Sequence, residues 1–237
     1  MIGEILVTVG VVTLLYVAWQ LWIGDFLIGN EVKSVAQARS QEWAQAAPTA
    51  APTPSATTGS APTPAATVEP PALPEPEDAQ IFGNVWVPRF GPDFVFTLAG
   101  GVSTARTLNS PAVGHYPDTA MPGQTGNFAV AGHRTTYGAP FAGVPGLHIG
   151  DAVVIETPEG WFTYRFRNLQ YVVPTQVDVL LPVPQVSDVV ATGKYITMTT
   201  CSPRYEQSER AVAYGVFESF TPRSAGQPAS LTAGLTS

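Results

Sequence analysis

Three side chains of this sequence could together carry out acyl transfer. Cys201 ends an apolar run with β character, and Arg210 stands nine residues later, at the start of a second such run. His133 follows a third run. A thiolate is a nucleophile, an imidazole can protonate a departing amine, and a guanidinium can stabilise the oxyanion of a tetrahedral intermediate. If the first two runs pair as a hairpin, Cys201 and Arg210 are neighbours, and His133 could join them at one rim of a barrel.

Each of these residues also has a structural interpretation. An unpaired cysteine is most often an inert, buried side chain, His133 could be structural, and Arg210 could be a solvated charge. The other histidines are interpreted as structural, because His115 precedes an X-Pro turn without a β run before it and His148 lies in a stretch typical of a loop or strand edge.

Composition excludes several other kinds of site. One cysteine rules out a disulfide framework, and with three histidines it makes a structural zinc site improbable. Only 12% of the residues are charged and the net charge is −7, which argues against a nucleic-acid partner. We find no convincing carboxylate cluster for calcium, and we expect neither a metal nor a cofactor.

The elements that would position the three residues are short β runs punctuated by Gly and Pro. The candidate strands are 85–87, 128–131, 152–157, 161–171, 195–200 and 211–219. Long helical periodicity is absent after residue 23. Strands at this spacing, separated by turn signals, predict a mainly β fold built as a closed or nearly closed barrel.

The N-terminal region predicts a membrane anchor. Residues 5–23 are nineteen residues without a charge, and aromatic residues (Tyr16, Trp19 and Trp22) crowd one end. A soluble core helix would be amphipathic, which this run is not. A cleaved signal peptide is the stronger alternative, because residues 44–46 read Ala-Gln-Ala. That tripeptide lies about twenty residues beyond the apolar run, however, so we favour an uncleaved single span.

A Pro/Ala/Thr-rich segment follows the predicted anchor. Residues 44–80 contain nine prolines, and such a composition predicts an extended, disordered stalk or a generic spacer between domains. A stalk favours a C-terminal domain outside the cell, but the charges around the span favour the opposite orientation. Lys33 and Arg39 follow the span, and no basic residue precedes it. Taken alone, the positive-inside rule would place the C-terminal part in the cytoplasm.

Several motifs resemble those of one enzyme family. The string TMTTC at 197–201 resembles the TLxTC signature of sortases, with Met198 in place of the more usual Leu, and AGHR at 131–134 resembles their histidine motif. Arg210 stands where the family carries its arginine. The stretch 114–141 is similar to the housekeeping class E sortases of Gram-positive actinobacteria, which are cysteine transpeptidases.

The resemblance implies an eight-stranded sortase-type β-barrel with short helices, preceded by the transmembrane helix and the stalk. The expected organisation is a membrane anchor at 1–30, an extended linker at 31–80, a catalytic domain at 81–224 and a flexible tail at 225–237. The family also implies a single-pass protein of the cell membrane with its catalytic domain on the extracellular, cell-wall side, which overrides the charge count.

The resemblance further implies the reaction. Cys201, His133 and Arg210 would be catalytic, cleaving the Thr–Gly bond of a LAxTG-like signal on secreted proteins. The acyl-enzyme would pass the protein to an amine of lipid II or a peptidoglycan stem peptide. Tyr116 and Thr200 would bind substrate, although Tyr116 could simply pack beside a proline.

Two alternatives to this function stay open. One is a sortase of another class with an LPxTG-like signal, and the other is a non-enzymatic, wall-binding β module. A papain-type protease does not fit, since His133 precedes Cys201 in the chain.

Overall fold

A computed structural model of the chain describes residues 2–19, 24–46, 68–110 and 112–232. The helices are α1 (Ile2–Ala18), α2 (Gly24–Ala46) and α3 (Ala229–Thr232). The strands are β1 (Ile81–Trp86), β2 (Val95–Gly100), β3 (Ala112–His115), β4 (Gly126–Ala131), β5 (Ala152–Thr157), β6 (Gly160–Val172), β7 (Lys194–Ser202) and β8 (Glu209–Pro222). Short 3-10 turns and one π-turn (Thr104–Leu108) connect them.

The eight strands form a closed barrel in the order β1-β2-β3-β4-β7-β8-β6-β5. Most neighbours are antiparallel, but β2 and β3, and also β4 and β7, run parallel. The parallel pairing of β4 and β7 brings the carboxyl ends of both strands to one rim. The barrel confirms the predicted eight-stranded β architecture.

Alternating side chains fill the barrel. On β4, Phe128 and Val130 face the core, as do Ile196 and Met198 on the neighbouring β7. The intervening residues of β4 face outward, yet every residue of this strand is buried. Both faces of the β4–β7 pair are therefore covered, as is usual for parallel strands.

Two strands escaped prediction from the sequence. The β2 strand reads VFTLAG and is buried at every position, so it lacks the apolar–polar alternation that marks a half-exposed strand. The β3 strand is only four residues long and contains a glycine. Both strands depend on pairing with distant partners rather than on a local pattern.

The helix α2 corrects the prediction that residues 31–80 are an extended linker without long helical periodicity. Ala, Gln, Glu and Arg dominate its second half, and these residues favour helix. Among residues 31–46, where the structure describes the side chains, the buried apolar residues of α2 are Val32 and Ala36, so this part of the sequence shows little periodicity. The face that α2 turns toward the barrel is recognised from its contacts in the structure and not from the sequence pattern.

The structure describes only part of the predicted membrane span, linker and C-terminal tail. Among the described residues, no helix has both the length and the apolar character that crossing a membrane requires. The end of the predicted span (20–23) and residues 47–67 of the predicted linker lie outside the described residues, as do residues 233–237. The short helix α3 forms within the predicted tail, and its Leu231 packs against the barrel wall.

A fully buried carboxylate on β5 joins several parts of the fold. Glu156 accepts hydrogen bonds from Asn84 Nδ2 (3.2 Å) and Trp86 Nε1 (2.8 Å) on β1, and from Ser40 Oγ (2.6 Å) on α2. It also forms an ion pair with Arg223 at 3.1 Å, and both side chains are buried. A buried charge is tolerated when it is paired and hydrogen-bonded in this way.

We predict that Glu156→Ala lowers the free energy of unfolding by about 3–5 kcal/mol, because it leaves the buried guanidinium of Arg223 unpaired. Glu218→Ala is the matched control, since Glu218 pairs with Arg165 at 2.8 Å on the surface and its loss should cost at most about 1 kcal/mol. Urea-induced unfolding of the full chain measures both. Equal losses in the two variants would contradict this account.

Candidate active site

Cys201 and Arg210 lie directly opposite each other on β7 and β8. The two strands are antiparallel and their register pairs Cys201 with Arg210. Side chains of such a pair leave the same face of the sheet, with their Cβ atoms about 4.5–5.5 Å apart. Cys201 is half-buried. The predicted pairing of these two strands, with Cys201 next to Arg210, is therefore confirmed.

The parallel pairing of β4 with β7 places His133 beside them. Ala131 pairs with Thr199, and the Gly132 N–H donates to the Thr199 carbonyl at 3.1 Å. His133 lies two residues beyond the end of β4 and Cys201 lies two residues beyond Thr199, so both stand at the same end of the β4–β7 pair. The structure thus brings the three predicted residues to one rim, outside the barrel core.

The imidazole of His133 is held by two side chains that the sequence did not single out. Its Nε2 lies 2.9 Å from Asn109 Oδ1, and its ring stacks on Tyr137 with centroids 5.2 Å apart. An amide oxygen only accepts, so this contact requires the proton on Nε2 and leaves Nδ1 as the acceptor nitrogen of the neutral ring. Burial lowers the pKa of His133, which favours the neutral form at pH 7.

The end of β7 is fixed by two further hydrogen bonds. Arg134 Nη1 donates to the Cys201 carbonyl at 3.2 Å, and the Thr200 hydroxyl donates to the Gly132 carbonyl at 2.8 Å. Thr200 is buried, so its hydroxyl ties β7 to the chain just after β4. Thr200 also pairs with Ala211 in the β7–β8 ladder, so the contacts that the structure shows for it hold the end of β7 in place. The predicted contact of Thr200 with substrate stays a prediction.

The guanidinium of Arg210 is turned toward its own loop. Its Nη1 donates to the carbonyls of Gln207 (3.1 Å) and Glu209 (2.9 Å). A guanidinium carries five N–H donors. The contacts at Nη1 therefore orient the group toward this loop and engage only part of its donor set.

Tyr116 contacts the strand β7 at Thr199, two residues before Cys201. Its hydroxyl lies 3.0 Å from Thr199 Oγ1, and its N–H donates to the Ala129 carbonyl at 2.9 Å. Thr199 precedes Cys201 by two residues, about 6.6 Å along the strand. Tyr116 is half-buried, and through Thr199 its hydroxyl lies near the end of β7 that carries Cys201.

The two other histidines lie apart from this rim. His115 is inside the barrel, where its ring stacks on Phe128 at 5.1 Å and burial lowers its pKa. His148 is exposed, and its backbone N–H donates to Asp151. Within the part of the chain that the structure describes, no group of three or more His, Cys, Asp or Glu side chains could hold a metal ion.

Four functional neighbours were missed from the sequence. Arg134, Tyr137 and Thr199 lie inside or next to the recognised motifs, so closer attention to those strings would have found them. Asn109 stands 24 residues before His133, directly after the π-turn, and belongs to no motif. Only the fold reveals its contact with His133.

Comparison with known proteins finds one family, the sortases, both by family model and by individual relatives. The family model described as "Sortase domain" matches residues 85–218. Sortase SrtE1 of Streptomyces coelicolor is 34% identical over 236 residues, which cover 97% of this chain and 60% of that protein. This chain therefore spans about 60% of the length of SrtE1.

Solved structures are similar as well. The crystal structure of sortase E1 from Streptomyces coelicolor with a tripeptide in the active site superposes with a TM-score of 0.61 and 36% identity, covering 66% of this chain and 99% of the other. Sortase E from Streptomyces avermitilis gives a TM-score of 0.58 and 40% identity, with coverages of 65% and 97%.

We predict that His133 and His115 titrate with midpoints below the ordinary value of about 6.5, because burial disfavours the imidazolium. The unfolded chain then binds protons more readily, so the free energy of unfolding decreases as the pH falls below about 6.5. Proton NMR titration of the three histidines measures the midpoints, with His133→Gln and His115→Gln for assignment.

Asn109→Ala tests the contact with Nε2. A hydrogen bond to the charged ring is stronger than one to the neutral ring, so its loss should lower the His133 midpoint further and leave that of His115 unchanged. A His133 midpoint at or above 6.5 in the native chain would contradict this prediction.

Proposed function

The chain belongs to the sortase family, and from this premise we propose that it is a membrane-anchored class E transpeptidase that joins secreted proteins to a cell-wall precursor. One observation carries the proposal. The β4–β7–β8 register sets half-buried Cys201 opposite Arg210, with the hydrogen-bonded imidazole of His133 just beyond the end of the neighbouring strand β4. These are the nucleophile, oxyanion donor and acid that acyl transfer needs.

The first half-reaction cleaves the signal. The Cys201 thiolate attacks the threonine carbonyl carbon of a Thr–Gly bond, forming a C–S bond and an oxyanion that accepts hydrogen bonds from Arg210. As the intermediate collapses, the C–N bond breaks and the His133 imidazolium gives its proton to the departing glycine amine. The products are a thioester acyl-enzyme, a neutral His133 and the released C-terminal peptide.

The second half-reaction transfers the protein. An amine of lipid II or of a peptidoglycan stem peptide attacks the thioester carbon, and neutral His133 accepts its proton. The new C–N bond forms, the C–S bond breaks, and the thiolate leaves. This restores the starting protonation states of Cys201 and His133.

Burial of His133 limits the active population. Because its pKa is lowered, only a minority of molecules carry the imidazolium at neutral pH. Activity should then follow the coupled titration of the Cys201–His133 pair and show a bell-shaped dependence on pH.

The hydrogen-bonded pair of Tyr116 and Thr199 supports a LAxTG-like signal. Their hydroxyls lie on the face of Cys201, where the bound peptide must run. A phenol that reaches the peptide backbone leaves little room for a bulky second signal residue, so we propose that alanine is preferred there over proline.

Residues 5–23 are the proposed single-pass anchor, with the barrel on the cell-wall side. Their uncharged, apolar composition supports this assignment. The substrates would then be secreted proteins that bear the sorting signal. The alternative, a non-enzymatic wall-binding module, predicts that replacing Cys201 leaves the function intact.

We predict that Cys201→Ala abolishes both peptide cleavage and transfer while the barrel stays folded, as shown by circular dichroism. Turnover of a fluorogenic LAxTG peptide with an amine acceptor measures the effect. If the purified variant keeps turnover above background, Cys201 is not the nucleophile and the enzymatic proposal fails.

Arg210→Lys should lower kcat/KM for the same peptide by about 10²–10³-fold, because an ammonium cannot reproduce the planar donor set of a guanidinium. Arg165→Lys, at a surface ion pair with Glu218, is the matched control and should leave kcat/KM unchanged. A lysine variant at 210 within a few-fold of the native chain would remove Arg210 from the catalytic set.

Tyr116→Phe should reduce the preference for LAxTG over LPxTG peptides by about 2- to 12-fold, the equivalent of one neutral hydrogen bond of about 0.5–1.5 kcal/mol. Tyr205→Phe, at an exposed tyrosine of the β7–β8 loop, is the control. An unchanged preference in Tyr116→Phe would assign Tyr116 to packing. A native preference for LPxTG would overturn the class E assignment.

A further inference from the structure

The helix α2 lies on the outer wall of the barrel and contacts it along one helical face. Val32, Ala36 and Ser40 are spaced four residues apart, so they share that face. Val32 and Ala36 are buried. The Ala36 carbonyl accepts a hydrogen bond from Asn84 Nδ2 at 3.1 Å, and the Ser40 hydroxyl donates to Glu156 Oε1 at 2.6 Å.

The end of α2 is held by an aromatic contact. The guanidinium carbon of Arg223 lies 5.6 Å from the ring centroid of Trp43 and 4.5 Å from that of Trp161. A guanidinium close to aromatic rings is attracted by their π electrons. Arg223 therefore links α2 to the barrel through Trp43 and also pairs with Glu156.

One contact of α2 lies at the end of β8 away from the candidate active site. Arg210 stands at the start of β8, and Arg223, which contacts Trp43 of α2, immediately follows the end of the strand. Thirteen residues at about 3.3 Å each make a path of about 43 Å along the strand. The contact of Arg223 with α2 and the catalytic rim therefore lie at opposite ends of β8.

The chain is attached to the barrel again beyond the Pro-rich segment. From residue 68 onward it runs across the barrel, where Leu73 joins the core and Glu69 pairs with Lys194 at 3.0 Å. The segment 47–67 therefore starts at the end of a docked helix and ends where the chain rejoins the barrel. A stalk would have the barrel at one end only.

We propose that the docking of α2, and not the length of the Pro-rich segment, sets the position of the catalytic barrel relative to the membrane. This inference rests on the proposed anchor at residues 5–23. Gly24 and Val32 are eight residues apart, about 12 Å of helix. The barrel is thus held close to the bilayer, with its catalytic rim at the end of β8 away from the docked helix. The α2 residues of this contact (Val32, Ala36, Ser40 and Trp43) lie outside the 85–218 stretch that the family model matches, whereas Glu156 and Trp161 lie within it.

We expect the barrel to stay folded when this contact is lost. Among the described residues four side chains donate to Glu156; Ser40 lies on α2, and Asn84, Trp86 and Arg223 belong to the barrel or the turn that follows it. The buried charge therefore stays paired when α2 leaves. This permits a test in which only the docking is lost.

The experiment uses the full chain in vesicles of phosphatidylcholine and phosphatidylglycerol. Cys201 is the sole cysteine, so a thiol-reactive donor dye labels the candidate active site alone. Energy transfer to a lipid headgroup acceptor then reports the height of that site above the bilayer. Ala36→Arg blocks docking because Ala36 is fully buried, and Ala38→Arg on the exposed side of α2 is the matched control. Each is also made with residues 47–67 repeated once, from 21 to 42 residues.

We expect the native chain and Ala38→Arg to give the same donor height with either linker length. In Ala36→Arg the height should increase with linker length, since 21 added residues can extend by at most about 65 Å. Turnover of a soluble peptide by the unlabelled Ala36→Arg chain should equal that of the native chain, which shows that the barrel is intact.

Two results would overturn the inference, and they differ. If the chain floats with vesicles but the height follows linker length in every variant, or Ala36→Arg behaves like Ala38→Arg, the anchor holds and the docking role fails. If the chain does not float with vesicles, the proposed anchor fails as well, and so does any positioning at a membrane.

Discussion

The candidate site depends on β7 being hydrogen-bonded to a parallel strand on one side and an antiparallel strand on the other. The antiparallel partner supplies Arg210 opposite Cys201, and the parallel partner carries His133 to the same level. A shift of one residue in either register would turn one of these side chains to the other face. The buried hydrogen bond from the Thr200 hydroxyl to Gly132 and the contact of Arg134 with the Cys201 carbonyl resist that shift.

The surroundings of His133 favour positioning over charge. Burial holds the imidazole neutral, whereas protonation of a leaving amine requires the charged ring. The contact with Asn109 orients the ring without supplying a negative charge. Asn109 therefore fixes the orientation of the ring, while burial makes the charged ring the less favoured form at neutral pH.

The sequence revealed those parts of the protein that are encoded locally. The β7–β8 pairing could be predicted because nine residues separate Cys201 from Arg210 and both flanking runs have β character. His133 was found through its motif. By contrast, β2 is buried on both faces and shows no alternation, and Asn109 meets His133 only after the barrel has closed. Helix α2 was missed for a related reason, because several of its described contacts with the barrel are hydrogen bonds, and such contacts leave no apolar stripe in the sequence.

The single half-buried thiol also determines the redox chemistry that this chain can undergo. With no second cysteine, oxidation cannot close a disulfide within the molecule. The products open to Cys201 are a sulfenic acid, its higher oxides, or a mixed disulfide with a thiol of another molecule. Recovery from the reversible states therefore requires an external reductant, so the working lifetime of the enzyme in an oxidising surrounding is set by whatever thiols its environment supplies.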